Sequence, residues 1–252
     1  MPQGESSRRT GLSRALSKLG YCSRSQAARL IRAGRVRLNG VVRRDPETPV
    51  RLNDDRVTVD GSPVKEAEKI HLVMNKPRGL VTTARDEQGR PTIYSILDKH
   101  DALLPWIAPV GRLDKASEGL LLLTNDSVWG ARVADPSTHL EKTYHVQIGA
   151  LPHESFMQNM ISGVKDETGE ILRATRVRPL RSGIKNCWIE ISLDQGKNRQ
   201  IRRMMAAVSV EVLRLVRVSI GPLQLGTLAK GTYRRLEARE KAQLDRAMAA
   251  KR

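Results

Sequence analysis

A run of four consecutive leucines, Leu120–Leu123, is the feature that most constrains how this chain can fold. It stands in the segment VGRLDKASEGLLLLTND, residues 110–126. Every side chain of the run needs an apolar neighbour on one face or the other, so the run predicts a strand that is buried on both faces of a sheet. Arg112 and Asp114 lie just before this strand. Charged residues seldom lie beside a buried strand without a specific role, so these two are the first functional candidates.

The composition narrows the class of protein. The chain has 252 residues, of which 39% are hydrophobic. This suits one large domain, or a small domain followed by a medium one, with enough apolar side chains for a core in each. The formal net charge of +17 is far larger than solubility requires. A polyanionic partner explains the excess, and nucleic acid is the first candidate.

Several classes of protein are excluded by what the sequence lacks. It has no apolar run of the roughly 20 residues that a helix needs to cross a bilayer. Its first segment, MPQGESSRRT, lacks the apolar middle of a secretion signal. We therefore expect a cytoplasmic protein without a membrane partner. Cys22 and Cys187 lie far apart without a second Cys or a His at ligand spacing, which predicts neither a metal site nor a disulfide.

Two short helices and a hairpin are predicted near the N-terminus. From Leu12 the apolar residues follow a helical stripe that ends at Gly20, a residue suited to the left-handed position after a helix. Ser23 and Gln26 form a capping-box pattern that predicts the start of a second helix. The next segment, RVRLNGVVRR, alternates apolar and charged residues around an Asn-Gly turn signal, which predicts a hairpin.

These elements leave a set of basic residues off their apolar stripes. Any single surface arginine is more often a solvated charge than a ligand contact. As a set, however, they are unusual, because residues 8–44 contain no acid at all, whereas a solvated surface usually mixes both signs. The pattern predicts a nucleic-acid-binding surface formed by Arg14, Lys18, Arg24, Arg29, Arg32, Arg35 and Arg37, with Arg43 and Arg44 beside them.

The rest of the chain is predicted to alternate strands with a few helices. Seven segments have strand character: IHLVMNKPRGLVTT, APVGRL, GLLLLTND, KTYHVQI, ILRATRVRPL, NCWIEISL and VLRLVRVSI. Helices are predicted near 127–134, 152–162 and 198–208. The fold class is α+β: a small helix-helix-hairpin RNA-binding domain, then a catalytic-size domain with a mixed, mostly antiparallel sheet flanked by helices. The expected divisions are a disordered N-terminus 1–10, a small domain 11–60, a linker 61–69, a large domain 70–236 and a C-terminal helix or tail 237–252.

The helix predicted near residue 198 begins with too many cations. Its buried stripe, from Ile201 to Val208, leaves four basic residues on other faces or just before the helix. This opposes the helix dipole, which favours acids at that end by about 0.3–1 kcal/mol per charge. A bound anion would remove the conflict, and either a phosphate or a carboxylate of the protein itself would serve. The four residues are Lys197, Arg199, Arg202 and Arg203.

Residue patterns alone leave the roles of two candidates open. Asp114 can be a turn or cap residue before the leucine strand. Tyr144 lies in the strand KTYHVQI on the same face as Val146 and Ile148, so it can be an ordinary core tyrosine.

Two sets of motifs resemble known families. The segment SRALSKLGYCSRSQAARLIRAGRVRLNG resembles the small RNA-binding domain shared by a small-subunit ribosomal protein, tyrosyl-tRNA synthetases and several RNA-modifying enzymes. Across nearly the whole chain, MNKPRGLVTT, GRLDKASEGLLLLTND, EKTYHV and QGKNRQIRRM appear in the order typical of ribosomal-RNA pseudouridine synthases that carry such a domain. Four motifs in order make the resemblance specific.

This resemblance implies roles for the candidate residues. Asp114 would be the catalytic carboxylate, and Arg112 would help to hold the RNA where the target uridine has left the stack. Tyr144 would contact the flipped base, and Arg202 would pair with the catalytic carboxylate. Ser209 stands where relatives are expected to have Gly, which puts the local turn in doubt. Three cations would meet phosphates, namely Lys197, Arg199 and Arg203.

The implied reaction converts uridine to pseudouridine at a particular site of ribosomal RNA, with a lean to the large subunit. The glycosidic bond to nitrogen breaks, the uracil turns, and its carbon 5 is joined to the ribose, so neither oxidation nor hydrolysis occurs. No cofactor is expected, in keeping with the lack of metal-ligand, Walker or dinucleotide patterns. An Asp beside an Arg favours its charged form and could attack covalently or abstract a ribose proton. The sequence does not choose between the two.

Two other classes remain as alternatives. One is a non-catalytic RNA-binding or ribosome-assembly factor on the same fold, and the other is a basic DNA-binding protein, although no recognition-helix pair or dimer zipper is evident. The expected partner is ribosomal RNA or a pre-ribosomal particle. We expect no obligate protein partner and a monomer.

Overall fold

The computed structural model describes residues 9–84, 86–100, 104–151 and 153–249. Its contacts divide the chain into two units. The small unit consists of the described residues within 1–71, 101–108 and 124–127, and the large unit of those within 72–100, 109–123 and 128–252. Each unit has buried apolar clusters of its own, one in the small unit and two in the large unit.

The small unit packs two helices against short strands. Its core contains Leu16 and Ile31 from the helices and Val36 and Val59 from the strands, all at most 2% exposed. The strand order in the main sheet is β3-β2-β5-β6, all antiparallel, and β1 pairs with β4 separately. The elements are α1 (Leu12–Lys18), α2 (Arg24–Arg32), β1 (Thr10–Gly11), β2 (Val36–Leu38), β3 (Val41–Arg43), β4 (Pro49–Val50), β5 (Val57–Val59) and β6 (Ser62–Pro63).

The cap and turn signals of the small unit form as predicted. The backbone N–H of Gln26 donates to Ser23 Oγ at 3.1 Å, and the N–H of Ser23 donates to Gln26 Oε1 at 3.0 Å, which completes the capping box. Asn39 and Gly40 have φ angles of 52° and 83°. Positive φ at both central residues is what a two-residue type I′ hairpin requires, so the turn joins β2 to β3 with the strand twist intact.

The boundaries of the small unit differ from the prediction at both ends. Residues 1–8 of the predicted disordered N-terminus lie outside the described residues, but Thr10 pairs with Val50 in a sheet. The predicted linker 61–69 contributes β6, and the backbone N–H of Ala67 donates to the carbonyl of Leu19 at 3.0 Å. The small unit therefore extends beyond residue 60, because these backbone groups find their partners inside it.

The rest of the chain contains eleven strands and five helices among its described residues. The helices are α3 (Tyr94–His100), α4 (Ser127–Ala134), α5 (Glu154–Ser162), α6 (Gln200–Ala207) and α7 (Ala238–Ala249), with a 3-10 turn at Pro136–Thr138. The strands are β7 (His71–Lys76), β8 (Ala108–Val110), β9 (Glu118–Thr124), β10 (Lys142–Ile148), β11 (Val164–Lys165), β12 (Ile171–Leu172), β13 (Arg176–Ser182), β14 (Cys187–Leu193), β15 (Val212–Ile220), β16 (Leu223–Gln224) and β17 (Tyr233–Arg235).

Nine of these strands form one sheet. The order is β13-β14-β10-β15-β9-β7-β17, with β8 beside β9 and β16 beside β15. The ladder between β15 and β9 is parallel, with Val216 opposite Glu118 and Arg217 opposite Gly119, whereas β10, β13, β14 and β15 pair with one another antiparallel. Leu120–Leu123 are each 0% exposed, so the leucine run is the buried strand that it predicts. The fold class is α+β with a mostly antiparallel sheet, as expected.

Two apolar clusters support this sheet. One packs α5 and α6 against β10, β13 and β14, with Met160, Met204 and Ile191 at 0% exposure. The other packs α4 and α7 around β9, with Leu122 and Leu244 at its centre. The strand that follows the Asp114 loop is therefore fixed by packing.

Most predicted helices and strands of the large unit form, with local differences. Helices appear near 127–134, 152–162 and 198–208, and the predicted tail forms α7, beyond which residues 250–252 lie outside the described residues. The segment that starts at Ile70 leaves the strand after Lys76, since Pro77 has no N–H for a ladder. Helix α3 was not predicted, because seven residues carry too little periodicity. Ser209 adopts a φ of 57°, the left-handed conformation for which Gly is the usual choice.

Candidate active site

The described residues of the large unit line a cleft of about 390 Å³. Strands β8, β10 and β15 and the segment before α6 contribute to its walls. Five of the candidates from the sequence line this cleft, namely Arg112, Asp114, Tyr144, Lys197 and Arg199. Residues separated by up to 87 positions in the sequence are thus brought to one place.

Asp114 lies in the loop between β8 and β9, where the chain turns into the buried leucine strand. Gly111 opens this loop with a φ of 71°, which other residues adopt only at a cost. The backbone N–H of Ser117 donates to the Asp114 carbonyl at 2.9 Å and closes a tight turn. The carboxylate remains one third exposed (34%) and faces Arg199, whose Nη1 lies 3.7 Å from Oδ2. Asp114 is therefore a reachable anion on a loop that is fixed by main-chain contacts.

The buried side chain of Lys76 holds the same loop, and the sequence analysis did not identify this residue. Its side chain is 0% exposed, and its Nζ donates to the carbonyls of Pro77, Asp114 and Ser117 at 3.2, 3.1 and 2.9 Å. Burial lowers the pKa of this amine to about 8, although the charges of Asp114 and Glu118 act in the opposite direction. A lysine at the end of the apolar strand HLVMNK was the available signal.

Tyr144 stands on β10, half-buried at the cleft. It lies opposite Ile191 of β14 and Arg217 of β15, and its ring packs against the core cluster that contains Val146. It also lines the cleft. One side of the Tyr144 ring therefore packs against the core, and the other side faces the cleft beside Asp114.

The expected pair between Arg202 and Asp114 is not what the structure has, since the carboxylate is paired with Arg199. The Arg202 Nη2 donates to the carbonyl of Ala116 at 3.3 Å, and its Nη1 to the carbonyl of Val212 at 3.5 Å. Burial lowers the pKa of this guanidinium, Arg199 lowers it further, and Asp114 opposes both. Arg202 therefore connects the Asp114 loop with β15.

Two cations that were predicted to meet phosphates are paired with acids of the protein. Arg203 Nε donates to Asp166 Oδ2 at 2.7 Å, and its Nη2 lies 2.5 Å from Glu170, which Lys197 also meets at 2.8 Å. Burial alone raises the pKa of Asp166, but hydrogen bonds from Thr168 and Arg203 outweigh it and bring this pKa down to about 2. The sequence allowed either a phosphate or a carboxylate of the protein as the anion near this helix. For Arg203 it is a carboxylate of the protein.

The positive potential of the cleft has contributors that the sequence analysis did not identify. Lys142 and Arg217 line the cleft together. Burial lowers the pKa of Lys142, and the neighbouring charge of Arg217 lowers it further. Arg217 Nε donates to the carbonyl of Leu120 at 2.7 Å, which ties β15 to the leucine strand. Both residues occur inside strand patterns, where nothing in the periodicity separates a functional cation from a solvated one.

The basic set of the small unit is on its surface. Lys18 is half-buried, and the arginines at 14, 24, 29, 32, 35 and 37 are exposed. Arg35 is held by Asp60 through Nε at 2.9 Å and Nη2 at 2.5 Å, and Arg37 donates to the carbonyl of Gly40 at 3.1 Å. Arg35 thus has a carboxylate partner within the unit, at the ends of β2 and β5, which the sequence did not indicate because Asp60 lies 25 positions away.

Metal and membrane features are lacking in the part of the chain that the structure describes. No group of three or more His, Cys, Asp or Glu side chains there is arranged to hold a metal ion. No helix there has the length and apolar character to cross a bilayer. Cys22 and Cys187 are free thiols, and burial raises the pKa of each.

Known proteins resemble this chain over both of its units. Residues 70–207 match the family model for RNA pseudouridylate synthase, and residues 10–56 match that for the S4 domain. An uncharacterised RNA pseudouridine synthase of Aquifex aeolicus (strain VF5) is 35% identical over 241 residues, 95% of each chain. The ribosomal large subunit pseudouridine synthase B of Bacillus subtilis (strain 168) is 31% identical over 230 residues, 91% of this chain and 93% of the relative.

A solved structure extends the likeness to the fold. A crystal structure of a pseudouridylate synthase superposes with a TM-score of 0.65 at 28% identity, and covers 93% of this chain and 99% of its own. The match to an enzyme family over both units removes the ground for the DNA-binding and the non-catalytic alternatives. The chain belongs to the RNA pseudouridine synthases, isomerases that convert uridine in RNA to pseudouridine, and carries an S4 domain at its N-terminal side.

Proposed function

We propose that this enzyme modifies a uridine of large-subunit ribosomal RNA and that Asp114 is its catalytic carboxylate. The observation that carries the proposal is the wall of the cleft where Asp114, Arg199 and Tyr144 meet. The choice of RNA is supported by the name of the Bacillus subtilis relative, which is 31% identical. The cationic surfaces of both units suit a long polyanion of this kind.

The proposed isomerisation requires one carboxylate as its reacting side chain. The bond between the ribose and uracil N1 breaks and a bond to carbon 5 of the same uracil forms; carbon 5 loses its proton and N1 gains one, so atoms and electrons balance without a cofactor. Asp114 acts either as a nucleophile toward the sugar or as a base toward a ribose proton. Arg199 faces the carboxylate, with its Nη1 3.7 Å from Asp114 Oδ2, and the partial exposure of Asp114 leaves it within reach of a flipped nucleotide.

Other side chains would hold the substrate around this carboxylate. Tyr144 presents the cleft side of its ring to the uracil, against which a base can stack. Arg112 is exposed at the mouth of the cleft and would meet the backbone on either side of the flipped nucleotide. Arg202 holds the loop through Ala116 and acts as a positioning residue rather than as the partner of the carboxylate.

The small unit would anchor the RNA away from the site of chemistry. Its exposed arginines can each neutralise a phosphate, and extraction of the target base costs a few kcal/mol that such contacts can offset. Arg35 and Arg203 are excluded from this role, because carboxylates of the protein already hold both. Lys197 shares Glu170 with Arg203 but also lines the cleft, so it remains a phosphate contact. The proposed phosphate contacts of the small unit are Arg14, Lys18, Arg24, Arg29, Arg32 and Arg37.

The test is a map of pseudouridine across total ribosomal RNA from cells that lack the gene. We expect one modified position of the large subunit to be lost and to return with the natural protein. It should stay lost with Asp114→Asn, which keeps the shape of the side chain but removes its charge. The matched control is Glu154→Gln, an exposed acid in the first turn of α5, which should restore the position.

Each contrary outcome has its own meaning. If Asp114→Asn restores the modification, another residue carries the chemistry. If the ribosomal RNA profile is the same in all strains, the RNA substrate is of another kind, although the family assignment stands.

A further inference from the structure

Four neighbouring strands of the large unit present a polar face on the side of the sheet away from Tyr144. Along β14, Ile189 and Ile191 face the core, so Trp188 and Glu190 face the other way. Their register partners on that side are Arg181 and Arg178 of β13 and Gln147 and His145 of β10. We call this surface the Trp188 face; it is formed by Arg176, Arg178, Arg181, His145, Trp188 and Arg214.

Trp188 lies at the centre of this face between two guanidinium groups. The Cζ atom of Arg181 is 5.1 Å from the centre of the Trp188 ring, and that of Arg214 is 5.4 Å from it. Four strands spaced about 4.8 Å apart make the face about 14 Å wide. A ring and planar cations on an open sheet are the elements with which single-stranded RNA is bound, since bases stack on both.

The charges of this face are not balanced within the protein. Arg178 takes both oxygens of Glu190, at 2.7 and 3.0 Å. Arg176 is left with long contacts of 3.6 Å to Glu190 and 3.8 Å to Glu141. Arg181 has no carboxylate within ion-pair distance among the residues that the structure describes. More than half of the Arg176 and Arg178 side chains is exposed, at 55% and 58%.

Arg214 differs from these exposed arginines because Glu118 holds it. Both of its contacts to this carboxylate are 3.1 Å, and Lys230 meets the same group at 2.5 Å. Arg214 therefore supports Trp188 from a fixed position. Arg181 lies on the edge strand β13, is exposed and, among the described residues, has only the Trp188 ring as a partner on this face, so its charge is available to a ligand.

We propose that the Trp188 face binds a single-stranded segment of the substrate RNA outside the catalytic cleft. Unpaired bases stack on Trp188 and on the guanidinium planes, while Arg176 and Arg181 contact the phosphates beside them. The face lies on the opposite side of the sheet from Tyr144, so this segment is separate from the flipped uridine. The inference rests on the proposed function only in that the ligand is RNA.

The first test compares two pairs of exposed arginines with equal loss of charge. Arg176→Gln with Arg181→Gln removes the uncompensated cations of the face, and Arg239→Gln with Arg246→Gln removes two exposed cations of α7. The probe is large-subunit ribosomal RNA that has been transcribed in vitro. We expect the first pair to weaken binding about tenfold and to reduce the salt dependence of log K by about 0.7 per lost phosphate contact. The α7 pair should keep the affinity of the natural protein.

The second test locates the RNA directly. A short oligouridylate that contains 4-thiouridine is cross-linked by light to the intact protein, and the labelled peptides are identified. We expect an adduct in the β14 segment with Trp188, and its loss in the Arg176→Gln, Arg181→Gln variant.

Equal weakening by both pairs of substitutions would overturn the proposal, because it would reduce the effect to net charge. Adducts confined to the cleft and the small unit would overturn it as well. The cross-linking measurement, which uses an oligouridylate, does not require that ribosomal RNA is the modified molecule. A failure of the proposed substrate and a failure of the Trp188 face are therefore distinguishable.

Discussion

Among single side chains, Lys76 positions Asp114 through its backbone carbonyl rather than through its carboxylate. Its amine donates to the loop carbonyls of Asp114 and Ser117 and to the carbonyl of Pro77, while the Asp114 carboxylate lies at the cleft beside Arg199. We expect Lys76→Met, which keeps much of the aliphatic chain, to reduce kcat about 100-fold, because small displacements of a catalytic group have effects of this size. Rates of pseudouridine formation check this, and Lys165→Met, at an exposed position of β11, should leave the rate unchanged.

The same variant has a signature in the pH dependence of stability. The Lys76 pKa is about 8 in the fold against a usual value of 10.5, so between these pH values the unfolded chain binds a proton that the folded chain has released. Folding therefore gains stability as pH rises through this window. We expect the free energy of unfolding of the natural protein, relative to Lys76→Met, to increase by about 3 kcal/mol from pH ~8 to ~10.5. Urea unfolding at both ends of the window measures it, and a constant difference would show that the amine is not perturbed.

The sequence indicated the residues that line the cleft better than their ion-pair partners. Asp114, Arg112 and Tyr144 were found from a buried strand and from ordered motifs, and all line the cleft. The pairing of Arg203 with Asp166 could not be predicted from the sequence, because the acid lies 37 positions earlier. Only the packing of α6 on the β11–β12 hairpin brings the two together. Ion pairs between distant segments leave no periodic signal.

Among the elements, the parallel ladder between β9 and β15 is the least tolerant. Gly119 has a φ of 99°, and a Cβ there would lie 2.2 Å from the carbonyl oxygen of Arg217. We expect Gly119→Ala to destabilise the large unit by more than about 4 kcal/mol, since both backbone strain and a clash with main chain arise. The control is Gly149→Ala, whose added Cβ would meet its neighbours at 3.7 Å or more. Thermal unfolding of the two variants compares them, and equal melting temperatures would contradict the prediction.

Elements with strong local signals were predicted closely. The strand over KTYHVQI and the helix after Ser23 begin and end where pattern and cap place them. The extent of β7 and the division of residues 171–182 into two strands depend on which ladders the neighbours provide, so a single segment does not reveal them. The same reason explains why β6 appeared to be a linker.

For the chain as a whole, the net charge of +17 overstates the number of cations that RNA can contact. Arg32 and Arg35 lie close in sequence and are both exposed, but Asp60 holds only Arg35. We expect Arg32→Gln to reduce the slope of log K against log salt by about 0.7–0.9, and Arg35→Gln to leave it nearly unchanged. Titration of ribosomal RNA at several salt concentrations decides this. Equal slopes for the two variants would mean that RNA displaces Asp60.

The position of β17 determines when the large sheet is completed as the chain is synthesised. This strand, near the end of the chain, pairs with β7, which carries Lys76, and β15 separates β10 from β9 in the sheet. Until Tyr233–Arg235 have been made, β7 has an open edge, so the strand that carries Lys76 lacks the partner that covers it in the complete sheet.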